Sequence, residues 1–128
     1  MTQIDTNGYA EGPLTNRLIG IAFKTYNTIG AGFAEKIYQN VFRDYLDEEK
    51  IKYDREKYAK LIVNKKIAGS YKIDFLIKKR VVVEIKSREE IFKKDISQVL
   101  NYLKFYKLKV GLIFCFGKTG VKIKRLVM

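Results

Sequence analysis

The sequence contains no histidine, no tryptophan, one cysteine and one proline among its 128 residues. The lack of histidine excludes Ser-His-Asp and Cys-His catalysis, HNH-type and phospholipase-D-type nucleases, and zinc sites with histidine ligands. The single cysteine, Cys115, excludes a disulfide within the chain and a thiolate zinc site, so the chain requires no oxidising compartment. Hydrolytic chemistry must therefore depend on carboxylates, lysines, tyrosines and a hard metal ion.

Long apolar runs are also missing. No stretch approaches the length that spans a bilayer, and the polar segment Met1-Thr-Gln-Ile-Asp5 lacks the apolar part of a signal peptide. We therefore expect a cytoplasmic protein without membrane association. Residues 1–12 contain two glycines and little periodicity, which predicts a flexible N-terminal arm. Residues 13–128 are then a single domain, because the chain is too short for two.

Acidic residues are scarce relative to basic ones. The chain has 14 Asp and Glu against 26 Lys and Arg, which gives a formal net charge of +12. Such a charge attracts polyanions, of which nucleic acid is the commonest. Lysine-rich compositions also arise for unrelated reasons, so charge alone leaves nucleic-acid binding open.

Hydrophobic periodicity predicts an α/β domain in which two helices precede a β-rich stretch, a third helix and two closing strands. The predicted helices are Pro13–Ile29, about Phe33–Glu49 and about Lys94–Tyr106. The predicted strands are Tyr58–Val63, a strand from Ile67 onward, Tyr71–Ile77, Val81–Ile85, Val110–Phe116 and Val121–Val127.

The hairpin formed by Tyr71–Ile77 and Val81–Ile85 holds the most informative pattern. If its turn centres on Lys79, Asp74 lies opposite Glu84, with Cβ atoms about 5 Å apart. Strand alternation then puts Lys86 on the same face as these carboxylates. The other face is wholly apolar and consists of Ile73, Phe75, Ile77, Val81, Val83 and Ile85.

Two carboxylates at that distance repel each other unless a cation lies between them, and a hard divalent ion suits them. A neighbouring lysine can stabilise charge or orient an attacking water. Together these groups are the equipment for phosphodiester hydrolysis. The alternative is an ordinary solvated strand face.

Four motifs in order resemble those of the GxxExxY family, which is assigned to the PD-(D/E)XK nuclease superfamily. They are Gly32-Phe-Ala-Glu35-Lys-Ile-Tyr38, then Asp74, then Glu84-x-Lys86, then Gln98-Val-Leu-Asn-Tyr102-Leu. The resemblance covers roughly residues 14 to 127. It implies a restriction-endonuclease-like core, αβββαβ with an extra N-terminal helix, in which helices flank a mixed central sheet. Position 73 is Ile, where the superfamily's name has Pro.

The resemblance also implies roles for single residues. Asp74 and Glu84 resemble the ligands of Mg²⁺ or Mn²⁺, and Glu35 resembles a helix-borne carboxylate beside the metal. Lys86 resembles the catalytic lysine, and Gln98 a residue that flanks the site. Alternatives remain, because Glu35 suits a helix N-terminus in any protein and Gln98 suits a surface.

Lys72, Tyr38 and Tyr102 are the candidates for nucleic-acid contacts. For each tyrosine the alternative is core packing with a satisfied hydroxyl. Tyr38 lies three residues after Glu35, and Tyr102 four residues after Gln98, so each pair shares a helix face.

Three functions compete. The first is a metal-dependent nuclease acting on DNA or RNA, with DNA favoured. The second is a nucleic-acid-binding module that keeps the fold but cleaves nothing. The third is an interaction protein, such as a homodimer, whose basic surface meets an acidic partner.

Overall fold

The computed structural model describes residues 10–128, which form three helices and five strands in the order ααβββαββ. The predicted α/β class is confirmed. Among these residues, no helix combines the length and the apolarity that crossing a membrane requires. The helices are α1 (Gly12–Ile29), α2 (Glu35–Glu48) and α3 (Lys93–Tyr106), and the strands are β1 (Tyr53–Val63), β2 (Lys66–Ile77), β3 (Val81–Lys86), β4 (Val110–Phe116) and β5 (Val121–Val127).

The five strands form one mixed sheet in the order β1-β2-β3-β4-β5. Only β3 and β4 are parallel, and α3 makes the crossover that such a pair needs. The helices α1 and α2 cover one face of the sheet, and α3 covers the other, so two apolar clusters form. We call these the helix-pair face and the α3 face. Gly111 in β4 lets α3 approach closely, because a Cβ there would lie 2.5 Å from Val99 Cγ1.

Two strand predictions need correction. The strand β1 begins at Tyr53, five residues before the predicted start, and β2 is one continuous strand where two segments were predicted. The missed segment, Tyr-Asp-Arg-Glu-Lys, is too charged to show a strand pattern. Its pairing with the end of β2 supplies the backbone hydrogen bonds that hold it in the sheet.

The N-terminal boundary also differs. The helix α1 begins at Gly12, Glu11 forms an ion pair with Arg80 at 3.1 Å, and the guanidinium of Arg125 donates to the carbonyl of Ala10. The last residues of the predicted flexible arm therefore contact the domain. The rest of that arm, residues 1–9, lies outside the described residues.

The predicted register of the central hairpin is confirmed at two pairs, Phe75 with Val83 and Ile77 with Val81. The prediction that Ile73 shares their face is wrong, because Ile73 packs on the α3 face. Side-chain alternation is interrupted at Asp74, beside which Glu56 of β1 has a left-handed φ of 54°. Beyond this interruption β1 and β2 continue as a two-stranded ribbon, so the interruption divides the sheet body from the ribbon.

Candidate active site

The carboxyl groups of Asp74 and Glu84 meet where β2 and β3 separate. Asp74 is 8% exposed and Glu84 2%. The Asp74 Oδ2 atom accepts the N–H of Ile85 at 2.8 Å, and the Glu84 Oε1 atom accepts the N–H of Asp74 at 3.3 Å. These bonds follow directly after the last backbone pair, Phe75 with Val83. The side chains of Asp74 and Glu84 therefore accept backbone hydrogen bonds where the backbone pairing of β2 with β3 ends. The two carboxyl groups lie close together, as the sequence predicted.

Glu84 is held in an environment that favours its protonated form. Its pKa lies well above the ordinary value of 4.5, first because burial penalises the charged carboxylate, and then because Asp74 is negatively charged and hydrogen-bonds to it. The positive charge of Lys86 acts in the opposite direction.

Lys86 is the last residue of β3, and alternation along the strand puts it on the same face as Glu84. It is half-buried, and its charge lowers the pKa of both Glu84 and Glu35. Among residues 10–128, no hydrogen bond or ion pair engages its ammonium group. That group is available to a ligand.

Glu35 is brought towards this site by the start of α2, where an acidic side chain is favoured by the helix dipole. The Ser87 Oγ atom donates to the carbonyl of Phe33 at 2.5 Å, which joins the end of β3 to the segment before α2. Burial raises the pKa of Glu35; Lys86 lowers it and Asp74 raises it. Glu35 therefore lies within the electrostatic field of the predicted site.

Gln98 and Tyr102 on α3 brace the strand beside Asp74. The Gln98 amide donates to the Tyr102 hydroxyl at 2.6 Å, and that hydroxyl donates to the carbonyl of Lys72 at 3.0 Å. Burial, followed by the charge of Glu84, raises the pKa of Tyr102. Because the Tyr102 side chain is buried, its position fits support of the strand better than the predicted contact with nucleic acid.

Tyr38 is not brought to the site. It is fully buried on the helix-pair face, its ring stacks on Phe116 with centroids 4.4 Å apart, and its hydroxyl donates to the carbonyl of Gly30 at 2.6 Å. The structure therefore matches the core-packing alternative, and the predicted nucleic-acid contact does not fit this burial.

Lys72 is exposed, as a nucleic-acid contact requires. Its ammonium lies 3.9 Å from Glu56, which also forms an ion pair with Lys36 of α2. Sequence patterns did not predict the Glu56 position, because it depends on the left-handed residue in β1. Two lysines therefore flank one carboxylate beside Asp74.

Sequence reasoning also missed Arg88 and Asp95. They form an ion pair, and Asp95, 3% exposed, accepts the N–H of Phe92 at 2.8 Å at the start of α3. Both charges act on Glu35. The only signal in the sequence is an acid in the first turn of a helix, which does not indicate an arginine partner.

The donor chemistry at Asp74 and Glu84 fits a hard cation, because two adjoining buried carboxyl groups have an excess of oxygen donors and a proton that a cation can replace. Within residues 10–128, no three His, Cys, Asp or Glu side chains are arranged to hold a metal ion as they stand. The structure therefore supports a two-carboxylate site more directly than the three-carboxylate site that includes Glu35.

A cavity of about 780 Å³ lies elsewhere, between the end of α2, the start of β1 and the turn between β2 and β3. Its lining includes Lys52, Tyr53 and Lys78 but none of the predicted site residues. The hydrogen bonds and charges described above locate the candidate site at the other end of β3.

Comparison with known proteins identifies a family and a similar fold. The family model of the PD-(D/E)XK nuclease superfamily matches residues 13–126. The crystal structure of SSO0001 is similar with a TM-score of 0.53 at 17% identity, over 72% of this chain and 48% of that one. The chain thus spans about half the length of that protein. No curated protein matches significantly. The fold is restriction-endonuclease-like, as predicted.

Proposed function

Because the chain belongs to the PD-(D/E)XK nuclease superfamily, we propose that it is a cytoplasmic, divalent-metal-dependent nuclease that hydrolyses phosphodiester bonds, preferably of DNA. The observation that carries this proposal is the buried Asp74–Glu84 pair, whose electrostatic environment includes the positive charge of Lys86. The motif from Gly32 to Tyr38 supports a finer placement in the GxxExxY family.

Asp74 and Glu84 would hold Mg²⁺ or Mn²⁺, with Glu35 nearby as a further carboxylate. When bound, the ion would polarise the phosphate and lower the pKa of a coordinated water. The raised pKa of Glu84 supports this assignment, since a bound cation would offset the charge that burial and Asp74 disfavour on the Glu84 carboxylate.

The remaining roles follow from position. Lys86 orients the attacking water or stabilises the negative charge that develops on the phosphate oxygens. Glu35 adds a negative charge near Lys86 from the start of α2. Gln98 and Tyr102 fix the backbone at Lys72 and so hold Asp74 in place, which makes them positioning residues.

The direct test is a cleavage panel with wild type and Lys86→Ala. Labelled single- and double-stranded DNA and RNA would be incubated in EDTA, Mg²⁺ or Mn²⁺. We expect cleavage only with metal, and about a 100- to 1,000-fold loss in Lys86→Ala, as when an electrostatic stabiliser is removed from a transition state. Because no hydrogen bond or ion pair within residues 10–128 engages the Lys86 ammonium group, the variant should keep its fold.

Lys124→Ala is the matched control, since Lys124 is exposed on β5 at the far edge of the sheet. It removes the same charge and should cleave like wild type. Equal cleavage by wild type and Lys86→Ala would refute the assigned role. Metal-independent binding without cleavage of any substrate would favour the non-catalytic binding module, for which the charge of +12 is the supporting observation.

A further inference from the structure

The ribbon formed by residues 57–72 differs in composition from the rest of the chain. We call it the arm; it is a different segment from the N-terminal arm predicted for residues 1–12. It contains five lysines and no acidic residue (Lys57, Lys60, Lys65, Lys66 and Lys72). Its end is a two-residue turn, Asn64-Lys65, with φ values of 52° and 64°, as in a type I′ hairpin. Large apolar side chains are exposed on it, including Tyr58 at 61%, Ile62 at 62% and Ile67 at 60%.

The base of the arm is anchored on α3. Ala59 is buried on the α3 face, the rings of Tyr71 and Tyr102 meet edge to face with centroids 5.4 Å apart, and the Lys57 ammonium lies 5.9 Å from the centre of the Tyr106 ring. A free two-stranded ribbon is only marginally stable in water. This anchoring therefore gives the exposed part a defined direction relative to the site.

The outer face of the arm carries Tyr58 directly opposite Lys72, and Lys60 directly opposite Ser70. This face is opposite to the one on which Ala59 and Tyr71 pack against α3, because neighbouring residues in a strand alternate. Lys72 continues the face to the base of the arm, two residues from Asp74. The cationic surface therefore runs from the arm to the candidate site.

More positive charge lies at this junction than the arm alone supplies. Lys36 of α2 reaches Glu56 beside Lys72. One carboxylate, Glu56, thus faces two lysines, which favours an anionic ligand at the base of the arm.

We propose that the arm binds double-stranded nucleic acid and directs one of its strands to Asp74 and Glu84. A two-stranded ribbon fits the major groove, which is about 12 Å wide, and the part of β1 that lies in the arm, residues 57–63, extends about 20 Å. Exposed apolar side chains can contact base edges or wedge between base steps. A second copy of the chain fits less well, since it would oppose lysines to lysines. The delivery of a strand rests on the proposed function, but the binding does not.

The test is binding of labelled duplex DNA by the full chain in EDTA, followed by fluorescence anisotropy over a series of salt concentrations. The arm variant is Lys60→Gln with Lys66→Gln, two exposed lysines. The matched control is Lys118→Gln with Lys124→Gln, which removes the same charge from the turn before β5 and from β5 itself. We expect the slope of log affinity against log salt to fall by about 2 in the arm variant and to change much less in the control.

Each outcome is decisive for the proposal. An equal loss in both double variants would assign binding to net charge and overturn the role of the arm. If the arm bound single strands more tightly than duplex, the proposal that it binds double-stranded nucleic acid would be overturned. If the wild type were a dimer and the arm variant a monomer, the arm would be assigned to contacts with a second copy. Duplex binding that depends on the arm, in a protein that cleaves nothing, would support the arm while refuting the nuclease.

Discussion

Replacement of Glu84 by glutamine, Glu84→Gln, should stabilise the protein in the absence of divalent cations. The glutamine would keep the shape of the side chain, accept the N–H of Asp74 and donate to the Asp74 carboxylate, so the hydrogen bonds seen at the site are preserved. What the substitution removes is a buried negative charge beside another. The variant therefore measures the electrostatic cost of the site itself.

The size of the effect follows from Coulomb's law. Two unit charges about 5 Å apart repel by about 3 kcal/mol at an effective dielectric constant near 20. Since Lys86 offsets part of this repulsion, we expect the free energy of unfolding to rise by about 2 kcal/mol at pH 8. For a domain of this size, the melting temperature should rise by about 6–10 °C.

The sign of the pH dependence follows from the direction of the pKa shift. The folded state holds the Glu84 proton above pH 4.5, where the unfolded chain has released it, so the wild type loses stability as pH rises from there through the folded pKa. The glutamine of the variant has no such proton. The two proteins should therefore have equal stability near pH 4 and diverge as pH increases.

The assay is thermal unfolding in EDTA from pH 4 to pH 8, followed by circular dichroism. Glu48→Gln is the control, because it changes the net charge equally at an exposed position on α2. It should leave the melting temperature unchanged or slightly lower at every pH. If Glu84→Gln were no more stable than wild type at pH 8, the inference of a strained carboxyl pair would be refuted.

Two further predictions use the same unfolding assay. Mg²⁺ or Mn²⁺ at about 100 times its dissociation constant should stabilise wild type by about 2.7 kcal/mol, and Asp74→Asn should lose most of this gain; an equal gain in the variant would place the ion elsewhere. Gly111→Ala should destabilise by about 1–3 kcal/mol, because its Cβ would lie 2.5 Å from Val99 Cγ1, whereas Gly20→Ala in α1, where no atom lies within 4 Å, should stabilise by about 0.5–1 kcal/mol. Equal effects of the two glycine substitutions would contradict the close packing of α3 on β4.

The sequence predicted most of the central hairpin because every second residue of its two strands, Phe75 and Ile77 in one and Val81, Val83 and Ile85 in the other, is apolar and forms one face. Counting outward from the turn at Lys79 was enough to bring Asp74 and Glu84 together. The same counting failed at Ile73, since alternation assumes a regular strand and Glu56 adopts a left-handed conformation there. That conformation depends on the neighbouring strand and leaves no local pattern.

Other features lay beyond sequence reasoning because they depend on contacts between distant segments. The pairing of Arg88 with Asp95, and the burial of Tyr38 against Phe116, are fixed only when the layers pack. A tyrosine at helical spacing from Glu35 looks the same in the sequence whether it faces a ligand or a core. The motif order predicted the fold class, but it could not assign these side chains to a face.

The acceptor role of Asp74 and Glu84 in the strand ladder has a consequence for how such sequences change over generations. Loss of the Asp74 side chain would leave the N–H of Ile85 buried without a partner, at a cost of about 1–3 kcal/mol. A descendant that had abandoned its chemistry would still be selected to keep an acceptor at this position. The Lys86 ammonium group, which no hydrogen bond or ion pair engages within the described residues, would be under no such constraint. In this lineage, the lysine is therefore the better marker of an active enzyme than the acidic pair.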